Sequence, residues 1–420
     1  MVSHLLRNDL SAHLPYAVEA SGVWITDAEG KRYLDGCSGA VVSAIGHAHP
    51  KVVAVIAEQA TRLTFAHRST FTTAAVEQLA DRLCAFTGYT GAWFVGSGSE
   101  ASEAAIQLAV QYHRERGATG RTRFLSFRRG YHGNTLGGLS LSGTARRELM
   151  LDLVHDFPAL PEPYAFRDQG DRSEQEWVAD MLTTARALFE RHASSLAGIV
   201  IEPVGGATMG ATVPPIAYLR GLRTLCDEFG ALLIADEVMT GMGRCGTPMA
   251  LAQFGIEADI ATLGKGLGAG YTPIAATLIG DEVYDTLRRG SGRISGGHTY
   301  AANPLSAATA LAVLDVIEGE GVLQNAVVMC ERLADGLASI ERSSRIVGDA
   351  RGLGMLCAIE VAPDAVQGVA AGRVAHAAMR NGLVLYPTTG GVNDALLVAP
   401  PLTITAAEVD QLLERLAASV

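Results

Sequence analysis

Closely spaced cysteines are missing from this sequence. The chain has six cysteines, which lie far apart: Cys37, Cys84, Cys226, Cys245, Cys330 and Cys357. No two of them form a Cys-x-x-Cys pair, and both a disulfide framework and a cysteine-based zinc site would need a different spacing. We therefore expect free thiols in a reducing compartment.

Long hydrophobic runs are missing as well. No stretch approaches the roughly 18 consecutive apolar residues of a membrane-spanning helix. The first 13 residues include Arg7, Asp9 and two histidines, so they lack the apolar core of a signal peptide. We expect no membrane association and a cytoplasmic location.

Basic charge is in short supply. The sequence has 33 Lys and Arg residues against 44 Asp and Glu residues, which gives a net charge of -11. An acidic chain without a basic stripe repels the phosphates of nucleic acids, so we exclude nucleic acid as a partner. The 420 residues exceed what a single hydrophobic core usually serves, and we expect two or more domains that share one active site.

Two predicted strands each end at a chemically useful side chain. The apolar run 232–235 stops at Asp236 and Glu237, and the run 260–263 stops at Lys265, which lies between two glycines. Short apolar runs of this kind are typical of strands that are buried on both faces of a parallel sheet. Ligands of open α/β sheets bind beyond the carboxyl ends of the strands, so the acid and the amine are expected to share one crevice.

This pair of side chains has a specific chemical meaning. A lysine between glycines can approach a carbonyl compound and form an imine with it, and a buried carboxylate can keep a pyridine nitrogen protonated. Pyridoxal phosphate (PLP) requires both groups. The alternative interpretations are that Asp236 caps a helix or pairs with Arg244, and that Lys265 is a solvated surface lysine.

Three further predicted strands end near candidate site residues. The run 92–95 leads into Gly96-Ser97-Gly98-Ser99-Glu100, where a glycine-rich turn opens a helix and offers free N–H groups to a phosphate. Taken alone, this segment is also explained as a serine-rich helix cap. The run 123–127 ends shortly before Tyr131, whose ring can stack on a flat ligand or simply pack in a loop. The run 198–201 ends at Glu202.

A His-x-His pair at His47 and His49 invites a metal interpretation. No third ligand lies nearby in the sequence, and a loop followed by a helix start explains the segment better. We predict no metal site.

Three segments resemble the signature of one enzyme family. Asp-Glu-Val at 236–238, Thr-Gly-Met-Gly-Arg at 240–244 and Leu-Gly-Lys-Gly-Leu-Gly at 263–268 are similar to the motifs of class III (omega) aminotransferases of PLP fold type I. The resemblance covers nearly the whole chain. It implies an α/β fold with a large domain built on a mostly parallel seven-stranded sheet flanked by helices, and a small α+β domain formed by both termini. The implied domain bounds are 1–55 and 310–420 for the small domain and 56–309 for the large, PLP-binding domain.

The resemblance also implies a role for each site residue. Lys265 would carry PLP as a Schiff base and move the proton, Asp236 would hold the ring nitrogen protonated, and Glu202 would lie near the ring and the substrate. The other implied cofactor contacts are Gly98, Ser99 and Thr299 at the phosphate, with Tyr131, His132 and Val238 around the ring. The family threonine reaches the phosphate of the neighbouring chain, so Thr299 implies a homodimer with sites at the subunit interface.

The implied activity is ping-pong transamination from a small-molecule amine or amino acid to a keto acid or aldehyde. Because this fold and cofactor serve several reactions, a racemase, aminomutase or decarboxylase of the same family is the alternative. A PLP-binding regulatory protein without catalysis is a remote alternative.

Two positions depart from the family pattern and bear on the substrate. Many omega-aminotransferases place an arginine before a proline in the C-terminal domain, where it binds a substrate carboxylate in two hydrogen bonds. This chain has Tyr386 there, and it has Val41 where an aromatic residue is expected. We hypothesise a bulky amine, aldehyde or ketone substrate without a carboxylate beside the reacting carbon. The alternative is that another arginine, such as Arg68 or Arg293, supplies the charge.

Overall fold

A computed structural model of the chain describes residues 4–362, 371–388 and 394–420. Residues 363–370 and 389–393 of the predicted C-terminal part of the small domain lie outside the described residues, as do residues 1–3 of its N-terminal part. Near the N-terminus, Trp24–Asp27 and Arg32–Asp35 pair as antiparallel strands and form a hairpin.

The strands of the described residues are numbered here in chain order: β1 Ala17–Ser21, β2 Trp24–Asp27, β3 Arg32–Asp35, β4 Gly91–Val95, β5 Arg123–Phe127, β6 Ala159–Leu160, β7 Leu196–Ile201, β8 Leu232–Asp236, β9 Ile260–Leu263, β10 Ala275–Ile279, β11 Val347–Leu353, β12 Leu356–Val361, β13 Leu383–Val384, β14 Tyr386–Pro387 and β15 Ala395–Val398.

The α-helices longer than one turn are Pro50–Ala60, Ala74–Thr87, Gly98–Glu115, Leu136–Leu141, Ala145–Leu149, Glu174–His192, Ile216–Phe229, Asp281–Arg289, Pro304–Gly319, Val322–Ser343, Ala371–Arg380 and Ala406–Ala417. Shorter helical turns occur at Ser38–Val41, Ala165–Gln169, Ala250–Phe254 and Lys265–Leu267. None of the helices that the structure describes combines the length and apolar character needed to cross a bilayer.

The central sheet has seven strands in the order β4-β10-β9-β8-β7-β5-β6. Strand β10 runs antiparallel to both of its neighbours, and the pairs from β9 to β6 are parallel. Strands β7 and β8 are buried along their whole length, as expected for parallel strands covered on both faces. The α/β fold class with a mostly parallel seven-stranded sheet is confirmed.

The register of the sheet brings the predicted strand ends to one edge. Ile201 of β7 lies opposite Ala235 of β8. Glu202, just after β7, and Asp236, the last residue of β8, therefore lie side by side. Asp236 in turn lies opposite Thr262 of β9, three residues before Lys265. The carboxyl ends of parallel strands meet at the same edge, which explains why residues far apart in sequence converge there.

Two smaller sheets are built from the two ends of the chain. In the first, β1, β2 and β3 are joined by β13, which pairs in parallel with β3 through Leu383↔Leu34 and Val384↔Asp35. The second contains β11, β12, β15 and β14 and is antiparallel throughout. The small α+β unit from both termini is therefore present.

Gly198 in β7 provides a test of this packing. A Cβ atom at Gly198 would lie 2.6 Å from the carbonyl oxygen of Leu232 in β8, so alanine would push apart the strands that carry Glu202 and Asp236. We expect Gly198→Ala to lower the free energy of unfolding by about 1–3 kcal/mol, measured by urea denaturation with circular dichroism. Gly319→Ala is the matched control, because a Cβ at that helical position meets nothing within 4 Å. A Gly198→Ala protein as stable as this control would contradict the strand contact.

Candidate active site

One cavity of about 180 Å³ lies at the carboxyl edge of the central sheet. It is lined by every predicted site residue except one: Gly98, Ser99, Tyr131, His132, Glu202, Asp236, Val238 and Lys265. Thr299 does not line it. A larger cavity of about 400 Å³ lies beside edge strand β4, but none of the predicted site residues lines it. We therefore place the chemistry in the smaller cavity, where the amine and the carboxylates meet.

Lys265 enters the cavity from a strained position. It follows β9 on the turn Lys265–Leu267 and has a φ of 37°, which non-glycine residues rarely adopt. A Cβ at Gly264 would lie 3.2 Å from Val238, so this glycine permits the close packing next to the lysine. Removal from water lowers the pKa of Lys265, and the negative charges of Asp236 and Glu202 offset only part of that shift.

Asp236 is held in a network of three hydrogen bonds. Its Oδ2 lies 2.8 Å from Nδ1 of His132, and its Oδ1 accepts from the Val238 N–H at 3.1 Å and from the Thr262 hydroxyl at 3.2 Å. Burial raises the pKa of Asp236, but the hydrogen bond and charge of His132 outweigh burial and lower it. Burial lowers the pKa of His132, but the hydrogen bond and charge of Asp236 oppose this effect, and the pKa is raised. The two side chains form a buried ion pair.

The alternative partners considered for Asp236 are not observed. Arg244 donates instead to the carbonyl oxygens of Met355 and Pro400 and to the hydroxyl of Ser38. The N–H group that Asp236 does bind, that of Val238, belongs to a turn and not to the first turn of a helix.

Glu202 is buried beside this pair. Its Oε2 accepts from the Tyr131 N–H at 3.1 Å, and its Oε1 accepts from the Gly206 N–H at 3.0 Å. Burial raises the pKa of Glu202 to about 7; the charge of His132 opposes this shift and that of Asp236 adds to it. Glu202 therefore changes its charge near neutral pH.

A helix N-terminus lines another part of the cavity. Ser97 caps helix Gly98–Glu115 by accepting the Glu100 N–H at 3.3 Å. Ser97 and Glu100 have the spacing of a capping box. Only half of it is formed, because the Glu100 carboxylate accepts the N–H of Gly96 and not that of Ser97. The N–H groups of the first turn have no partner within the helix, and the helix dipole makes this end attractive to an anion.

Glycine is required twice around this end. A Cβ at Gly98 would lie 3.0 Å from Val238, and a Cβ at Gly133 would lie 2.6 Å from the Ser99 hydroxyl. The backbone N–H of Asn134 donates to the Ser99 hydroxyl at 3.1 Å. The donors thus fit the phosphate of PLP, the ionised Asp236 fits a protonated ring nitrogen, and Lys265 fits the aldehyde.

Thr299 lies outside the cavity of its own chain. It is exposed, on a segment whose neighbours His298 and Gly296 contact Glu100 at 3.6 Å and Arg68 at 3.0 Å. Arg68 also stacks on the ring of Trp93. Arg293 is exposed and does not line the cavity.

Tyr386 and Val41 lie beside the cavity. Tyr386 is half-buried against a cluster that contains Val41, and this cluster shares Val204, Ala207 and Met239 with the cavity lining. Burial raises the pKa of Tyr131, and the charge of Arg146 opposes this shift.

Sequence reasoning missed Asn134 and Arg146. Asn134 donates to the Tyr131 hydroxyl at 3.0 Å and accepts from Arg146 at 3.3 Å. The proximity of Asn134 to Tyr131 in the sequence was a usable signal. Arg146 offered none, because it belongs to the separate helix Ala145–Leu149.

The two histidines of the His-x-His pair diverge. His47 lies 3.2 Å from Asp35, and His49 lies 3.2 Å from Glu320. Within the described ranges, no three His, Cys, Asp or Glu side chains are grouped so as to hold a metal ion.

Comparisons with known proteins agree with this geometry. A family model described as "Aminotransferase class-III" matches residues 7–420. An uncharacterized aminotransferase of Bacillus subtilis (strain 168), YodT, is 38% identical over 428 residues, which cover 98% of this chain and 96% of the relative. An adenosylmethionine-8-amino-7-oxononanoate aminotransferase of Geobacter sulfurreducens is 35% identical and covers 96% of this chain and 91% of its own length.

The fold is shared with solved transaminases. The structure of an amine transaminase from an uncultivated Pseudomonas species in its PLP-bound form has a TM-score of 0.93 and 33% identity, and the match covers 99% of this chain and 98% of that one. Because the family match extends from residue 7 to the last residue and the fold agrees with that of a transaminase that binds PLP, this chain belongs to the class III aminotransferases and is a pyridoxal-phosphate-dependent transaminase.

Proposed function

We propose that this transaminase acts on primary amines, and on aldehydes or ketones, that carry no carboxylate beside the reacting carbon. The observation that carries the proposal is Tyr386, a neutral side chain at the position where the family resemblance leads us to expect an arginine. None of the residues lining the cavity in the described parts of the chain is an arginine. A neutral hydroxyl offers one hydrogen bond and no charge, whereas a guanidinium binds a carboxylate in two charge-assisted bonds.

The relatives do not share one substrate by name. One is an adenosylmethionine-8-amino-7-oxononanoate aminotransferase, and the structural neighbour is an amine transaminase. The amine transaminase supports a substrate class without an obligatory carboxylate. Family membership alone therefore does not identify the substrate, and we infer its class from the side chains around Tyr131, Tyr386 and Val41.

In this proposal Lys265 would hold the aldehyde of PLP and would move the proton at the substrate carbon. When bound, PLP supplies an electron sink that stabilises negative charge on that carbon. The lowered pKa of Lys265 suits the task, because a neutral amine is needed to accept a proton. Asp236, kept ionised by His132, would hold the ring nitrogen protonated, and Tyr131 and Val238, which line the same cavity, would contact the ring.

Glu202 is proposed to act beside these residues as a group of adjustable charge. Its two backbone hydrogen bonds fix the position of the carboxylate next to His132 and Asp236. A carboxyl that is neutral below about pH 7 adds no second negative charge next to Asp236.

The phosphate is proposed to be held by the N–H groups of Gly98 and Ser99 and by the partner subunit's Thr299. The exposure of Thr299 and its position outside the cavity of its own chain support a contribution to a second chain. We accordingly propose a homodimer with sites at the interface. Arg68 lies on the same surface, so it remains the alternative source of charge in such a dimer.

We also propose the division into 1–55 and 310–420 for the small domain and 56–309 for the large domain. The pairing of β13 with β3 supports joining the two ends of the chain. A cytoplasmic location is proposed as well, supported by the six free thiols.

Replacing Glu202 with glutamine tests its charge. Because the folded-state pKa of Glu202 is raised from 4.5 to about 7, its proton stabilises the fold at low pH, and this stabilisation is lost as pH rises through 7. Glutamine does not titrate. The wild-type free energy of unfolding, relative to Glu202→Gln, should therefore fall between pH 5 and pH 8.5 by something on the order of 3 kcal/mol. Urea unfolding of the cofactor-free proteins at several pH values measures this difference; a pH-independent difference would refute the assignment.

Half-reactions with single amino donors test the substrate class. The wild-type protein should convert bound cofactor faster with a non-carboxylated primary amine than with glutamate or alanine. Tyr386→Arg should accelerate the reaction with glutamate about tenfold or more, because it restores hydrogen bonds to a charged group. Tyr386→Phe is the matched control and should not. The cofactor absorbance reports each rate.

If glutamate is clearly the fastest donor for the wild-type protein, the substrate proposal is wrong. Arg68→Ala and Arg146→Ala would then identify which arginine binds its carboxylate, because only the variant that lacks the responsible side chain should lose the glutamate reaction.

A further inference from the structure

Arg244 is a buried cation that forms no ion pair. It is 2% exposed, and its guanidinium donates to the Pro400 carbonyl at 2.5 Å, to the Met355 carbonyl at 3.3 Å and to the Ser38 hydroxyl at 3.1 Å. Within the described residues, no carboxylate lies within salt-bridge distance of it. Burial lowers the pKa of Arg244 to about 10, so it is charged at neutral pH. A buried charge whose hydrogen-bond acceptors are all neutral is costly, and its presence here calls for an explanation.

Ser38 connects this cation to the loop that follows β3. The Ser38 hydroxyl accepts from Arg244 and donates to the carbonyl of Ala399 at 2.8 Å. The Ser38 carbonyl accepts from the N–H groups of Val42 and Ser43. One serine therefore joins the loop to the large domain through Arg244 and to the C-terminal part of the chain through Ala399.

Asp35 holds the same loop from its other end. The Asp35 side chain is fully buried; its Oδ1 accepts the Gly39 N–H at 2.9 Å and the Cys37 N–H at 3.3 Å, and its Oδ2 lies 3.2 Å from His47. The loop is thus fixed by a buried anion at one end and a buried cation at the other.

Between these anchors the backbone is strained. Ser38 has a φ of 51° and Val41 a φ of 61°. A β-branched residue in the left-handed region is a genuine outlier, and it persists only where its surroundings over-determine it. The strain places the Val41 side chain in the apolar cluster that includes Ala207 and Met239, both of which line the cofactor cavity.

We propose that Asp35, Ser38 and Arg244 are positioning residues that hold Val41 in its left-handed conformation and thereby set the wall of the substrate space beside Tyr386. This inference rests on the proposed function in one respect, namely that the amine enters on the Val41 and Tyr386 side of the cavity. The rival explanation is that Arg244 and Ser38 only tie the two domains together. Such a role would affect stability, and it would not depend on the side chain at position 41.

A double-mutant cycle on the full-length, PLP-loaded protein distinguishes these explanations. The variants are Ser38→Ala, Val41→Gly and the two combined, with Ser43→Ala as the control in the same loop. Ser38→Gly removes the same hydroxyl and accommodates the left-handed backbone, so it replaces Ser38→Ala if that protein does not fold. Two donors are compared, a small amine (2-propylamine) and a bulky one (1-phenylethylamine), in half-reactions at varied amine concentration.

Ser38→Ala should change the ratio of the second-order rate constants for the two amines by about fivefold or more, because apolar contacts to a pocket wall discriminate on this scale. The change should fall mainly on the half-saturating concentration and not on the limiting rate. In the Val41→Gly background Ser38→Ala should have no further effect on the ratio, since no side chain is left to position. Ser43→Ala should leave the ratio as in the wild type.

Two outcomes would overturn the proposal: an effect of Ser38→Ala that is equally large in the Val41→Gly background, or a loss of thermal stability with an unchanged ratio. A Val41→Gly protein with an unaltered ratio would overturn it too, since the wall would then not touch the amine. If the protein reacts faster with glutamate than with either amine, only the proposed substrate class is contradicted. The ratio between the two amines would still decide the role of Ser38.

Discussion

The site depends on one buried ion pair, His132 with Asp236. Asp236 is the last residue of the central strand β8, and without a partner its burial would favour the neutral acid. The hydrogen bond of 2.8 Å to His132 keeps the carboxylate ionised where water is excluded. An ionised carboxylate at this point can hold a ring nitrogen protonated, and it tempers the fall in the pKa of Lys265. The proposed chemistry of Lys265 and Glu202 is set relative to this pair.

The sheet and its glycines bring this pair within reach of a phosphate site. Parallel strands end at a common edge, so Glu202, Asp236 and Lys265 converge although they are far apart in sequence. The helix that begins at Gly98 points its free N–H groups into the same cavity, and Gly98 leaves room for Val238. An anion-binding helix end and an ionised acid therefore face one ligand from two directions.

Much of this arrangement could be predicted from the sequence, because it depends on local patterns. Buried apolar runs that stop at a polar residue identified Glu202, Asp236 and Lys265, and the glycine-rich turn identified the start of the helix at Gly98. The half-formed capping box shows the limit of such patterns, since the Glu100 carboxylate accepts the N–H of Gly96 instead of that of Ser97. The same signals indicated buried parallel strands, whereas the seven-stranded sheet was implied by the family resemblance.

The residues that could not be predicted act through distant partners. Arg244 lay within a recognised motif, yet its acceptors, Ser38, Met355 and Pro400, lie more than 100 residues away on either side. The left-handed φ of Val41 has no signal in the residue itself. The proposed role of Thr299 depends on a second chain, and no pattern within one sequence fixes a subunit interface.

Locating the covalent attachment of PLP tests the proposed role of Lys265 most directly. The sequence has only three lysines, Lys31, Lys51 and Lys265. The first two are exposed and serve as internal controls. The PLP-loaded protein is reduced with borohydride and digested, and the peptides are analysed by mass spectrometry. We expect one stoichiometric pyridoxyl adduct, on Lys265, and no stoichiometric adduct on a Lys265→Ala protein. A stoichiometric adduct on Lys31 or Lys51, or an unmodified Lys265 in a fully loaded and active protein, would contradict the account.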